Sequence, residues 1–442
     1  MRRCTAMRFG YKSEVGAVCT ALAAAVTFFV LPRSFLAVAV PAWLVLQRLV
    51  ARGSRNRARP PHEWVSHNVG NEGKKDVSPR ERQLAFVISR NMKEEERPVA
   101  IVTGTNSGIG YYTAVGLAVE GYRVVCTCRN PALSESTATK IRREAEDFRR
   151  GRSGDPMYME VPETVLVDGR FFLECDDFAS VRRFVDHFQA TYKRLDVLVN
   201  NAGMMRKRLE FSRHNPQLEL HTAVNFLGPL MLTELLVPLL QRSQGRVVYV
   251  SSAAHRFPDV VLEPEFRKTP SKMGLNGRLL DAVKQINQGE RDSTGPLKRE
   301  TLGFAFVRYG TSKLLNIYHA HHIARHHKIP ACSLHPGCVG TNFPRDLLGR
   351  EWIKSIYQYA SLLFLKSWEE GAQTTLHCAM CDVEELSLVK PLNGTNRTEP
   401  VSPYFVECGN QTIESMLPCG WDVEEADRIV DWGKKLVGLA PK

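Results

Sequence analysis

The chain has 442 residues, 43% hydrophobic and 24% charged. That is enough for one large α/β domain with an appendage or two modest domains, and it excludes a chain disordered throughout. The net charge of +12 sits mostly at one end: residues 1–60 carry ten basic side chains against one acid, Glu14, or +9, which leaves +3 for the rest. A nucleic-acid partner would need a basic face on the folded part, so none is expected, and attraction of the basic flanks to anionic lipid head groups fits better.

In chain order, the first predicted element is apolar. Residues 15–31 carry no charge, Pro32-Arg33 interrupts, and residues 35–46 are apolar again. A spanning helix needs about 20 apolar residues, with about 17 as the lower end, which the first run just reaches. Residues 1–50 therefore read as a membrane anchor. It is either one spanning helix followed by an interfacial one, or a hairpin with both basic flanks on the cytoplasmic side. A cleaved signal or organelle transit peptide is the competing reading. Residues 51–97, polar and charged without clear periodicity, read as a linker, and 98–440 as the folded domain.

From Pro98 onward strands and helices alternate. Predicted strands cover 100–103, 123–128, 171–174, 197–200, 246–251 and 331–335, with helices between them. The alternation predicts an α/β fold with a doubly wound parallel sheet, of the Rossmann type. Stretches 150–167 and 256–300 are polar and rich in Gly, Pro, Arg and Lys, and read as surface insertions.

The first strand runs into Gly104, Thr105, Asn106, Ser107, Gly108, Ile109 and Gly110, which open a helix. Glycines there allow a tight turn and let the backbone approach a pyrophosphate, and the helix N-terminus offers free N–H groups to it. The second strand ends near Arg129, where a site selective for NAD usually has a carboxylate for the ribose 2′-OH. A guanidinium instead suits the 2′-phosphate of NADP; an arginine that is merely exposed is the alternative. The fourth strand runs into Asn201, Ala202 and Gly203, small enough for a nucleotide to pack close, although turn chemistry alone also accounts for them.

Tyr309 and Lys313, four apart, share one helix face. A phenol is a reluctant acid or base at neutral pH, and a neighbouring ammonium is expected to lower its pKa. Ser252 ends the fifth strand, where its hydroxyl can bond a substrate oxygen. Asn225 lies mid-helix among apolar neighbours, and bonding to its own backbone is the plain alternative to a functional role.

Eleven cysteines are scattered, some in apolar runs such as Cys126 and Cys128, and read mainly as free thiols. Cys378 and Cys381 form a CxxC without the partner pair a zinc site needs. His319, His321, His322, His326 and His327 crowd one stretch. His322 and His326 have the spacing of a metal pair, but no nearby carboxylate completes it, so a solvated helix face and no metal are expected.

Six motifs, in this order, resemble the short-chain dehydrogenase/reductase family over residues 99–438: the glycine turn at 103–110, Asn-Asn-Ala-Gly at 200–203, Asn225, Ser252, Tyr309 with Lys313, and His335-Pro336-Gly337-Cys338-Val339-Gly340-Thr341. The resemblance implies Tyr309 as acid/base, Lys313 lowering its pKa and holding the nicotinamide ribose, Ser252 orienting substrate, and Asn225 holding a water in a proton relay. It implies cofactor contacts at the glycine turn, Arg129, Asn201 to Gly203, Tyr309, Lys313, Pro336, Gly337, Val339 and Thr341. Cys128-Arg129, Asn225-Phe226-Leu227-Gly228, Glu370-Gly371-Ala372-Gln373 and Tyr404-Phe405 are similar to the membrane-anchored retinol dehydrogenase branch. That branch usually reads Leu-Asp-Leu-Ala-Ser after the third strand; Leu173-Glu174-Cys175-Asp176-Asp177 stands here, with Glu174 left for the adenine contact. It usually has a histidine where Phe226 lies.

The resemblance implies an NADP(H)-dependent oxidoreductase acting on a small lipophilic alcohol or carbonyl (retinoid, steroid or polyprenol). The expected location is the endoplasmic reticulum membrane with a cytosolic catalytic domain, or another organelle membrane. A cofactor-binding pseudoenzyme or scaffold and a tetrapyrrole-type reductase of the same family are the other readings, and a homo-oligomer is left open.

Overall fold

The computed structural model describes residues 88, 90–151, 161–256, 279–287, 302–339, 365–391, 399–412, 416 and 421–439. The expected anchor at 1–50, most of the expected linker, the bulk of the 256–300 insertion and Thr341 lie outside these residues. Ile88, within the linker stretch, is 3% exposed and packs onto the body.

Eight strands form one sheet: β1 (Val99–Thr103), β2 (Arg123–Thr127), β3 (Leu166–Asp168), β4 (Val197–Asn200), β5 (Arg246–Val250), β6 (Ala331–His335), β7 (Tyr404–Val406) and β8 (Gly409–Asn410). Their order is β3-β2-β1-β4-β5-β6-β7-β8. All pairings through β7 are parallel, and β8 closes antiparallel on β7. β1, β4, β5 and β6 are buried along their whole length, which suits valine-rich runs covered on both faces. Strand order reverses between β1 and β4, the point at which open α/β sheets bind ligands, outside the carboxyl ends of their strands.

Eight helices are used below: α1 (Gly108–Val119), α2 (Pro131–Arg150), α3 (Phe178–Thr191), α4 (Leu220–Arg242), α5 (Leu279–Asn287), α6 (Leu302–His322), α7 (Trp368–Met380) and α8 (Val423–Leu436). The sheet separates two cores. On one face Ala114 and Leu117 of α1, Ile141 of α2 and Leu376 of α7 meet Val102, Val124 and Val199. On the other Phe184 of α3, Leu230 and Leu236 of α4, Leu314 of α6 and Ile429 of α8 meet Ile101, Leu198 and Tyr249. Helix starts follow local chemistry. Asn130 caps α2 by accepting from Leu133 N, with Pro131 in the first turn, and Asp177 caps α3 by accepting from Ala179 N. α4 is long and apolar enough to cross a membrane by length and composition, yet it is mostly buried inside this fold, where it serves as a core helix.

Three sequence expectations are corrected. The third strand is not 171–174 but Leu166–Asp168; at the later position only a Cys128–Phe172 bridge and the bond from Leu173 N to Cys128 O remain. Gly169 and the Asp168–Arg170–Tyr192 bonds bend the chain between them. Consequently 161–167 is not surface insertion: Val161, Val165 and Val167 lie in the core. Nor is the histidine run a solvated face. His319, His321 and His322 are buried: Glu234 of α4 folds against His319, Asp427 of α8 against His322 and Ser402 against His321, all remote in sequence. The eight described cysteines are free thiols, as expected.

Candidate active site

The glycine turn is fixed from two sides. The N–H groups of Gly104 and Thr105 both donate to Thr127 O at the end of β2 (3.1 Å each), and Thr105 Oγ1 bonds the same carbonyl. From β4, Asn201 Nδ2 donates to Thr103 O (2.8 Å) and Gly104 O (3.3 Å). Thr103 Oγ1 accepts from both Asn201 N and Ala202 N. Gly104 and Gly108 have φ of +72° and +65°, backbone that favours glycine. Gly110 has no room at all: a Cβ there would lie 2.3 Å from Asn201 Nδ2 and 2.4 Å from Gly104 O. Ser107, at the N-cap of α1, makes no side-chain cap bond, so the amides of the first turn keep their donors for another acceptor. A pyrophosphate fits this cradle.

The other residues expected to hold the cofactor lie beyond the ends of β2 and β6. Arg129 is exposed just beyond β2 and, among the described residues, forms no ion pair. Glu174 is held near the end of β2 by the neighbouring Leu173–Cys128 bond and faces His214 Nε2 at 3.5 Å. Beyond β6, Gly337 (φ +89°) lies against Lys366, and Val339 pairs with Lys366 and packs on Gly371. Gly371 also meets Ile109, so its lack of a side chain lets α7 close on both the glycine turn and the loop after β6. Ser367 and Glu370 form a reciprocal capping box at the start of α7.

Tyr309 and Lys313 stand on one face of α6, with Lys313 Nζ 5.7 Å from the Tyr309 ring centre. Lys313 Nζ donates to Val250 O (2.9 Å). Gly203 makes space for it: a Cβ on Gly203 would come within 3.0 Å of Lys313 Nζ and 3.4 Å of Asn225 Oδ1. Ser252, just past β5, hydrogen-bonds the Tyr309 side chain, and its Oγ accepts from Ala254 N (3.1 Å). Asn225 sits in a π turn, Ala223–Leu227, inside α4, a feature frequent at functional sites. It does not bond its own backbone. Its amide bridges Met204 N, Met204 O and Ser312 Oγ, each at 2.9 Å. Asn225, Ser252, Tyr309 and Lys313 are thus brought together from α4, β5 and α6.

The electrostatics differ from expectation. Burial pushes the Tyr309 phenol well up, and the Ser252 bond only opposes that. Burial lowers Lys313 to about 8. The expected depression of the phenol by the ammonium is absent, because desolvation outweighs a charge aimed at Val250 O. The phenol therefore keeps its proton, the form that can donate. Behind Ser252, His255 bonds Ser252 O (2.7 Å) and Tyr404 Oη (3.3 Å), and burial holds it down to about 4.

Three supports were given no role of their own in the sequence, although Thr103 and Ser312 lie inside its motifs. Thr103 could have been found as the polar end of an apolar strand. Ser312 has its only signal in its place between Tyr309 and Lys313. The buried Lys366–Glu407 pair beside Gly337 has none, since its partners lie 41 residues apart.

With this geometry in view, the short chain dehydrogenase family model matches residues 98–155 and 168–264. Dehydrogenase/reductase SDR family member 13 of Bos taurus is 30% identical, over 77% of this chain and 74% of that protein. Retinol dehydrogenase 12 of Mus musculus is 31% identical over 77% of this chain and 86% of its own length. Retinol dehydrogenase 11 of Homo sapiens is 31% identical over 74% and 84%.

Proposed function

Because the chain belongs to the short-chain dehydrogenase/reductase family, we propose that it is an NADP(H)-dependent oxidoreductase interconverting a lipophilic alcohol and its carbonyl. The observation that carries the reading is the convergence of Ser252, Tyr309 and Lys313 beside a glycine turn with free helix-end amides. A bound nicotinamide would supply or accept the hydride. The turn at Gly104–Gly110 and the first amides of α1 would hold the pyrophosphate, Arg129 the 2′-phosphate and Glu174 the adenine. Asn201, Ala202, Gly203, Pro336, Gly337, Val339 and Thr341 would line the remainder.

In the reductive direction Ser252 Oγ–H hydrogen-bonds the carbonyl oxygen and polarises it. As negative charge grows on that oxygen, Tyr309 passes it the phenolic proton. Lys313 supplies a positive charge behind the phenol as it becomes phenolate. Asn225 fixes the loop after β4 to α6 through Met204 and Ser312 and holds the water that returns a proton. In the oxidative direction the same groups run in reverse.

Support for a lipophilic substrate comes from the apolar runs at 15–31 and 35–46, which would keep the enzyme at a bilayer where such molecules partition, and from relatives named retinol dehydrogenase. The test is turnover by purified full-length protein with NADPH or NADH on retinal, steroid ketones, a polyprenal and simple aldehydes. NADPH-dependent turnover of a lipophilic carbonyl is expected. Tight NADPH binding with no turnover of any of them would favour the pseudoenzyme reading.

A further inference from the structure

The carboxylate missing beside the histidine run in the sequence comes from α8. His322 Nδ1 and His326 Nε2 each lie 2.9 Å from the same atom, Asp427 Oδ1, and the two rings are 4.5 Å apart. We propose that His322, His326 and Asp427 bind a divalent transition-metal ion of the zinc class, clipping the end of α6 to α8.

Two imidazole nitrogens and one carboxylate oxygen form a donor set that suits zinc, with water as the fourth ligand. Asp427 Oδ2 is taken by Arg325 Nη1 at 3.1 Å, so the carboxylate offers the metal one oxygen. Each nitrogen stands at hydrogen-bond spacing from Asp427 Oδ1, and all three ligand atoms lie within 4.8 Å of one another. Zinc bonds of about 2.0–2.1 Å put tetrahedral ligands about 3.3 Å apart, so the carboxylate oxygen needs to part from each nitrogen by only a few tenths of an ångström. Entry is open, since the side chains of His326 and Asp427 are 46% and 29% exposed.

The surroundings decide which side of His322 takes the ion. The π turn Ile323–His327 sends His326 to Asp427 and His327 to Glu234 (3.4 Å). On the Glu234 side Lys434 Nζ already sits 3.0 Å from Glu234 Oε2 and 3.0 Å from His322 Nε2, so an ammonium is the cation there. That contact makes Nε2 an acceptor and leaves the proton on Nδ1, facing Asp427. A metal on Nδ1 moves the proton to Nε2, so the Lys434 ammonium has to withdraw from Nε2, and Glu234 Oε1, 3.9 Å away, is the carboxylate oxygen that can then move in to accept it. This is the outer carboxylate that metal-bound histidines usually have. Counting Asp427, Glu234 and Glu399 against Arg325 and Lys434, the cluster keeps one negative charge in excess.

Untagged full-length protein should bind one equivalent of zinc at this site by calorimetry, and cobalt should give the visible bands of a tetrahedral site. His326→Gln, at an exposed position, should weaken zinc at least about 10-fold, and Glu234→Gln, which leaves the ligands in place, about 10–100-fold. Zinc should raise the Tm of the wild type and not of His326→Gln. The proposal is overturned if the wild type binds no zinc at millimolar concentration, or if His326→Gln binds as well as wild type. It is equally overturned if the binding is lost instead in Cys381→Ser, which would place the ion on the separate His377–Cys381–Glu385 group. None of these readouts depends on the enzyme's substrate.

Discussion

Lys313 Nζ donates to Val250 O at 2.9 Å, so the ammonium of α6 is tied to the last residue of β5, two residues before Ser252. Burial there lowers Lys313 to about 8, and two pH effects follow. The ammonium that would hold the cofactor is lost as pH rises through about 8, so NADPH affinity should fall across that range, and in Lys313→Met this dependence should flatten. Stability moves the other way. A lysine whose folded pKa lies below its ordinary 10.5 binds fewer protons folded than unfolded between about 8 and 10.5, so its contribution to stability rises with pH there. The wild-type minus Lys313→Met difference in unfolding free energy should show that rise. Fluorescence titration of NADPH and denaturant melts at several pH values check both.

Arg129 lies exposed just past β2, where no carboxylate stands. Charge-assisted bonds to a phosphate are worth about 1.5–3 kcal/mol, or roughly 10–100-fold in affinity. Arg129→Asp should weaken NADPH by at least that factor and leave NADH little changed or improved. A wild type that already prefers NADH would refute the reading of this position.

Gly110→Ala tests the cradle. The added methyl would meet Asn201 Nδ2 at 2.3 Å and the Gly104 carbonyl at 2.4 Å, and the second contact is backbone that cannot swing away. Overpacking of this kind costs about 1–3 kcal/mol. The variant should melt lower and bind NADPH more weakly. Gly151→Ala, with nothing closer than 3.5 Å, should do neither.

The sequence made the site more legible than its supports. Tyr309, Lys313, Ser252 and the glycine turn are readable because each residue type has a chemical job at a fixed spacing from its element. The order of β1, β2, β4, β5 and β6 follows from apolar runs broken by helical stretches. What failed was long-range. β3 slid because its three residues lie in a stretch whose polarity suggested a loop, and their burial depends on α2 and Val161. β7 was visible only as a Tyr-Phe pair, since a three-residue strand has no period to read. The histidines looked solvated because their partners, Glu234 and Asp427, come from helices 85 and 101 residues away from the histidines they pair with.

The anchor proposal concerns residues 1–50. If the apolar runs hold the protein to a bilayer, the full-length chain should stay with membranes through a high-salt wash and leave only with detergent. Release by salt alone would assign the attachment to the basic flanks, whose attraction is screened.

The sharpest test of the chemistry is Tyr309→Phe. The ring is buried and packs with Met205, Ala254 and Ala305, so phenylalanine keeps the fold and removes only the hydroxyl. Positioned acid–base catalysis is typically worth about 10²–10⁴-fold, and turnover should fall by that order while NADPH binding persists. Ser252→Ala should also lower kcat, because the bond to the substrate oxygen strengthens as charge develops. It should raise the Tyr309 pKa further, since the bond that opposes burial is lost. In the oxidative direction, which needs the phenolate, the limb of the Ser252→Ala profile on which activity rises with pH should then move to higher pH, a shift that a purely structural role for Ser252 would not produce. Near-normal turnover of Tyr309→Phe, measured where the chemical step limits the rate, would remove Tyr309 from the mechanism.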